Sequence, residues 1–94
     1  MRVRWLRRAL RNLDEEAEYI ARDDPPAAAR VVEHIASSVK LLGTHPASGR
    51  LGRVPGTREL VVTGTPYIVA YRVRDETVEI LRVFHAARKW PERF

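Results

Sequence analysis

Hydrophobic residues follow two rhythms along this chain, a helical one over the first half and a strand-like one over the second. Leu6, Ala9, Leu10, Leu13, Ala17 and Ile20 recur three or four residues apart, so a helix from about Leu6 to Arg22 gathers them on one face. Its first turns are basic and its middle is acidic, the reverse of what the helix dipole prefers. Asp23-Asp24-Pro25-Pro26 ends this helix and starts another. Asp24 suits the N-cap, and proline costs nothing in a first turn, where its missing N–H has no intrahelical partner. Ala28, Val31, Val32, Ile35, Val39 and Leu42 form the second stripe, and Gly43 suits a left-handed cap after it. A break this short predicts an antiparallel helical hairpin, and the alanines of both stripes allow close packing.

Alternation marks the rest. Val3 and Trp5 alternate with arginines from Arg2 to Trp5, which reads as a short strand. Residues Thr44 to Gly56 form a loop rich in glycine, proline and serine. Three strands follow, at Thr57 to Val62, Tyr67 to Val73 and Thr77 to Phe84, joined by Thr63-Gly64-Thr65-Pro66 and Arg74-Asp75-Glu76. Connections this short predict an antiparallel meander. The order is β-α-α-β-β-β, an α+β fold in which the helical hairpin covers one face of a small, mainly antiparallel sheet. The spacing leaves the place of the first strand in that sheet open.

Composition narrows the chemistry. Ninety-four residues make a single domain, 1–94. With no cysteine, disulfides, zinc–thiolate centres and cysteine nucleophiles are excluded, which fits a reducing cytoplasm. No apolar run is long enough to span a bilayer, and Arg4, Arg7, Arg8 and Arg11 interrupt any secretion-signal pattern. No spacing suggests a metal or cofactor site. The net charge of +5 attracts polyanions. The charge is uneven, since no acid lies between Glu33 and Glu59 while cations continue past the last strand.

The element order and several segments resemble the RelE/ParE superfamily of type II toxin–antitoxin toxins, over nearly the whole chain. The segments are Asp23-Asp24-Pro25-Pro26, the run Gly52-Arg53-Val54-Pro55-Gly56-Thr57-Arg58-Glu59-Leu60-Val61-Val62, the strand Thr65-Pro66-Tyr67-Ile68-Val69-Ala70-Tyr71-Arg72, and Ile80-Leu81-Arg82-Val83-Phe84-His85 with Arg88 and Trp90 beyond it. The resemblance implies a small cytoplasmic toxin neutralised by a cognate antitoxin. That antitoxin would carry a DNA-binding domain and an acidic, amphipathic segment that wraps the toxin in a hetero-oligomer. Operator DNA would be reached only through the antitoxin, and no membrane is involved. RelE-like members cleave mRNA on the ribosome, whereas ParE-like members inhibit DNA gyrase without nuclease activity.

Each branch asks for different residues. Metal-independent RNA cleavage needs a base for the 2′-OH, an acid for the leaving oxygen and cations for the phosphate. His85 is the natural acid–base group, with Glu59 as an alternative base, Tyr71 as a proton donor, and Arg58, Arg72, Arg82 and Arg88 as phosphate ligands. Against that stand simpler roles. His85 at a strand end suits a structural hydrogen bond, Glu59 suits an ion pair with neighbouring arginines, and Tyr67 and Tyr71 suit packing on one sheet face with exposed hydroxyls. Alternation puts Arg82 on the face of Val78 and Ile80. RelE-like nucleases resembling this chain place an arginine after the tyrosine of the second meander strand, where this chain has Ile68. The ParE-like branch is therefore favoured, with no catalytic residue. A contact surface for target and antitoxin would then comprise Arg50, Arg53, Arg58, Arg72, Arg82, Arg88, Lys89 and Trp90. A third class, a non-toxic nucleic-acid or protein binding module, ranks last. The chain offers neither a recognition helix nor an aromatic stacking platform.

Overall fold

The alternation at the N-terminus does make a strand, and its partner is the last strand among the described residues. The structure, a computed structural model, describes residues 1–87. Strand β1 (Arg2–Trp5) leads into helices α1 (Arg7–Ala21) and α2 (Pro25–Leu41). Strands β2 (Arg50–Leu51), β3 (Arg58–Val61), β4 (Tyr67–Arg74) and β5 (Thr77–His85) follow. They form one sheet in the order β1-β5-β4-β3-β2. β2 to β5 run antiparallel as a meander. β1 lies parallel to β5, with Arg2 opposite Thr77 and Trp5 opposite Ile80. The architecture is the α+β arrangement expected from the order of the elements. It differs in β2, which the sequence places inside a loop. Two residues carry too little alternation to register as a strand, and Arg50 is drawn onto β3 by its ion pair with Glu59.

The helices pack on one face of the sheet. Asp24 caps α2 by accepting the Ala27 N–H at 3.1 Å. Ile35, Val39 and Leu42 from the second stripe, with Ala9 from the first, meet Val62, Tyr67, Val69, Tyr71, Val78, Ile80 and Val83 of the sheet. Trp5, Leu13, Ile20 and Val31 pack around this cluster, so Trp5 belongs to the edge of the core. Leu10, placed in the first stripe by spacing, is instead 46 % exposed. Gly43 also departs from expectation. α2 ends on a right-handed Leu42, and Gly43 does not take a positive φ. The glycine is needed for close approach. A Cβ there would lie 2.9 Å from the Met1 carbonyl oxygen, while the N-terminal ammonium donates to the Gly43 carbonyl at 3.0 Å. The end of α2 thus docks the start of β1.

The β4–β5 hairpin turns on Asp75 and Glu76, with φ of 53° and 55°. Two left-handed residues in a two-residue turn match the twist of the strands but suit Asn-Gly better than Asp-Glu. Glu76→Gly is expected to raise stability by about 1 kcal/mol. Thermal unfolding would show this as a rise of roughly 4–8 °C in Tm.

Candidate functional site

The residues singled out by sequence fall on two faces of the sheet, and cross-strand pairing decides which. Tyr71 lies opposite Arg58 on one side and Ile80 on the other. This row faces the helices, and Tyr71 is fully buried. Its hydroxyl donates to the Pro46 carbonyl at 2.7 Å and accepts the Gly49 N–H at 2.9 Å. Arg58 donates to the Gly49 carbonyl at 2.8 Å. Gly49 fits because a Cβ there would lie 2.6 Å from the Tyr71 hydroxyl oxygen. Tyr71 and Arg58 thus strap the 46–49 segment to the sheet. The hydroxyl expected at the surface is interior, since the loop after α2 folds over it.

Glu59 sits on the opposite face, in a row running Arg50, Glu59, Ala70, Arg82. Its carboxylate is only 4 % exposed. Arg50 donates to Oε1 through Nε at 3.2 Å and Nη2 at 3.0 Å. Arg53 donates to Oε2 through its backbone N–H at 2.9 Å and Nε at 3.2 Å. Burial pushes the Glu59 carboxyl up, but the Arg53 backbone N–H and the two guanidinium groups outweigh it and hold it below the ordinary value. A carboxylate stabilised in this way is a weak base. Glu59 organises the loop from Arg50 to Arg53 and fans the two arginines outward.

Arg82 corrects the alternation argument. Ala70 lies opposite Arg82 while Tyr71 lies opposite Ile80, so Leu81 is the extra residue of a β-bulge. Beyond the bulge Val83, not Arg82, joins Val78 and Ile80 in the core. Arg82 turns to the face of Glu59. There its guanidinium lies 4.7 Å from the centre of the Phe84 ring, a cation–π contact. Burial lowers its proton affinity, and neighbouring Arg8 adds to this against Glu15, but a guanidinium keeps its charge.

Asn12 escaped the sequence reading. β1 ends where the Leu6 N–H reaches the Ile80 carbonyl at 3.0 Å, and among the described residues no strand covers the rest of that edge of β5. Asn12 of α1 takes over, its Oδ1 accepting the Val83 N–H at 3.2 Å and the Arg82 Nε–H at 2.9 Å. The signal was a weak helix former inside an amphipathic helix beside its apolar stripe.

At the other end of this face Arg72 donates to Glu79 at 2.6 Å, with Arg74 at 3.5 Å from the same oxygen. The Arg72 hydrogen bond is the main cause that holds the Glu79 carboxyl below its ordinary value; burial opposes it, and Arg74 and Arg4 assist. Arg2, Arg4, Arg74 and Glu79 were not foreseen as a group, because strand β1 had no assigned neighbour.

His85 lies opposite Tyr67, on the helix-facing side. Its ring meets Tyr67 edge-on with centroids 5.6 Å apart, and its Nδ1 accepts the Ala87 N–H at 3.2 Å. Ile68 pairs with Val61 and Phe84 and is 5 % exposed, an apolar position unsuited to a cation. Among the described residues, then, Arg58, Tyr71 and His85 share one face and Glu59, Arg72 and Arg82 the other. No group of three or more His, Asp or Glu among them could hold a metal ion. No helix among them is long and apolar enough to cross a membrane. Arg88, Lys89 and Trp90 lie outside the described residues.

Two helices on one face of the sheet and arginines fanned over the other define a small α+β protein with an arginine-bearing sheet face. Residues 3–90 match the family described as ParE toxin of type II toxin-antitoxin system, parDE. The chain belongs to this family, and is the toxin of a type II toxin–antitoxin module with a cognate antitoxin as partner. It is 55 % identical over 91 residues to the Y4kP protein of Sinorhizobium fredii, covering 97 % of this chain and 94 % of that one. It is 40 % identical over 86 residues to toxin RelE2 of Caulobacter vibrioides, covering 92 % and 96 %. A solved structure, the chromosomal ParDE TA system from P. aeruginosa, superposes with a TM-score of 0.83 at 30 % identity, covering 90 % of this chain and 95 % of that one.

Proposed function

We propose that this toxin acts by binding rather than by cutting, as a ParE-like inhibitor of DNA gyrase. The observation that carries this reading is the dispersal of the residues a nuclease would need. Glu59 is saturated by four donors. The Tyr71 hydroxyl is buried in the loop strap, and Arg58 and His85 face away from Glu59 and Arg82. No described position lets acid, base and phosphate ligands converge on one scissile bond, which general acid–base cleavage requires. Arg50 and Arg53, about half exposed, have outward surface to offer a partner, as arginine does at binding hot spots.

The neutralising antitoxin would need to reach both the arginines and the helical layer. Leu10, Tyr19, Leu41, Leu51 and Val61 are large apolar residues left exposed. An antitoxin segment with apolar residues for these and acids for the arginines would cover both.

Purified chain is expected to block gyrase supercoiling while leaving ribosome-bound mRNA whole. His85→Ala should keep that inhibition within about twofold, whereas ending the chain before Arg88 should weaken it about tenfold or more, the size of a lost hot spot. Cleavage of mRNA on the ribosome that disappears in His85→Ala would overturn this reading in favour of a RelE-like endonuclease.

A further inference from the structure

Strands β1 and β4 flank β5 and bring four arginines together. Pairing places Arg4, Glu79 and Arg72 in one row, and Arg2, Thr77 and Arg74 in the next, on the face away from the helices. Strand geometry sets the corners of this rectangle about 10 Å apart across the sheet and about 7 Å apart along each strand. Arg2, Arg4 and Arg74 are exposed, and a shallow depression runs between them. Glu79 lies beneath at 6 % exposure, where it holds Arg72 and Arg74 by Nε. Both contacts run through Nε, so the terminal amino groups of Arg72 and Arg74 remain as donors of the kind that suits phosphate oxygens.

We propose that this arginine rectangle is a docking surface for the phosphate backbone of duplex DNA, contacted by the toxin chain itself. It is independent of the toxin's target and adds to any DNA contact made through the antitoxin. The patch is too broad for a single phosphate, so it calls for a ligand with phosphates in series. The depression opens on the sheet face, where a duplex can approach the arginines past Asp75 at its lining. The members of the rectangle are guanidinium groups, with no aromatic ring among them to stack an unpaired base, which separates a duplex from single-stranded RNA. Binding of this kind is independent of base sequence and strongly weakened by salt, because each neutralised phosphate releases counterions.

The test is fluorescence anisotropy of a labelled duplex of mixed sequence with the full chain, over a series of salt concentrations. Arg2→Ala/Arg4→Ala removes two exposed cations. Arg30→Ala/Lys40→Ala removes the same charge from α2 in the opposite layer. The first variant is expected to bind about tenfold or more weakly and to lower the slope of log K against log salt by about two. The second should change binding by less than about twofold, while both melt near the wild-type temperature. Equal loss in the two variants would mean diffuse attraction to net charge and overturn the proposal. So would absence of duplex binding by the wild type at low salt, or tighter binding to a single-stranded RNA of the same length.

Discussion

Tyr71→Ala is expected to lose about 4 kcal/mol of folding stability, and Tyr71→Phe about 2 kcal/mol, both read by urea unfolding. The alanine figure follows from emptying the space of a fully buried aromatic ring in the main core cluster. The phenylalanine variant keeps that packing and deletes one oxygen. It leaves the Gly49 N–H and the Pro46 carbonyl without the partner they share, and a buried unpaired group costs its full desolvation. Gly49→Ala reaches the same strap from the other side, driving a Cβ against the hydroxyl, and should cost about 2 kcal/mol. A domain of this size has about 5–15 kcal/mol in hand, so Tyr71→Ala removes a large share. Hydrogen exchange at Gly49 separates this account from a catalytic one: the strap predicts faster exchange in Tyr71→Phe. Unchanged exchange and stability, with toxicity lost, would mark Tyr71 as a functional group.

Glu59→Gln is the second large effect, with an expected loss of about 2 kcal/mol at neutral pH. One charge is removed from a site where four donors converge, and charge-assisted hydrogen bonds are the stronger kind. The loss stays below that of a fully interior ion pair because Arg50 and Arg53 are about half exposed and water takes them back. The pH dependence has a definite sign. The folded carboxyl is held below its ordinary value, so its stabilisation is complete above that value and fades as pH falls through the folded one. The gap between wild type and Glu59→Gln should therefore narrow on acidification below about pH 4.5. Unfolding curves at a series of pH values would show it, and a gap that widens towards acid would refute it. The stability of the variant itself keeps an acid-dependent part, because Glu79 is shifted in the same direction.

What was legible in the chain had a local cause. The stripe from Ala28 to Leu42 is periodic, so the second helix and its core face could be read directly. Asp24 caps because capping involves residues three apart. The meander followed from short connections. Among functional groups, the ion pair at Glu59 was foreseen because acid and arginines lie close in sequence. Spacing misleads where a long-range partner decides. Gly43 looked like a helix cap and proved to be a docking point for Met1. Arg82 was assigned by alternation, and one inserted residue, Leu81, reversed its face. The bulge lies where Asn12 of α1 takes over the edge of β5, a contact between residues 70 positions apart.

By itself the sequence determined the elements other than β2, the family resemblance and the excess of positive charge, since each depends on spacing or composition. Tertiary structure decided which face each cation occupies. Strand pairing put Arg2 and Arg4 on the same face as Arg72 and Arg74 and set Tyr71 and Arg58 on the face opposite Glu59, and the bulge turned Arg82 away from the core. The physical reason is the period of two in a strand. A shift of one residue exchanges the faces, and only the partner strand and the helix packed beside it set that register.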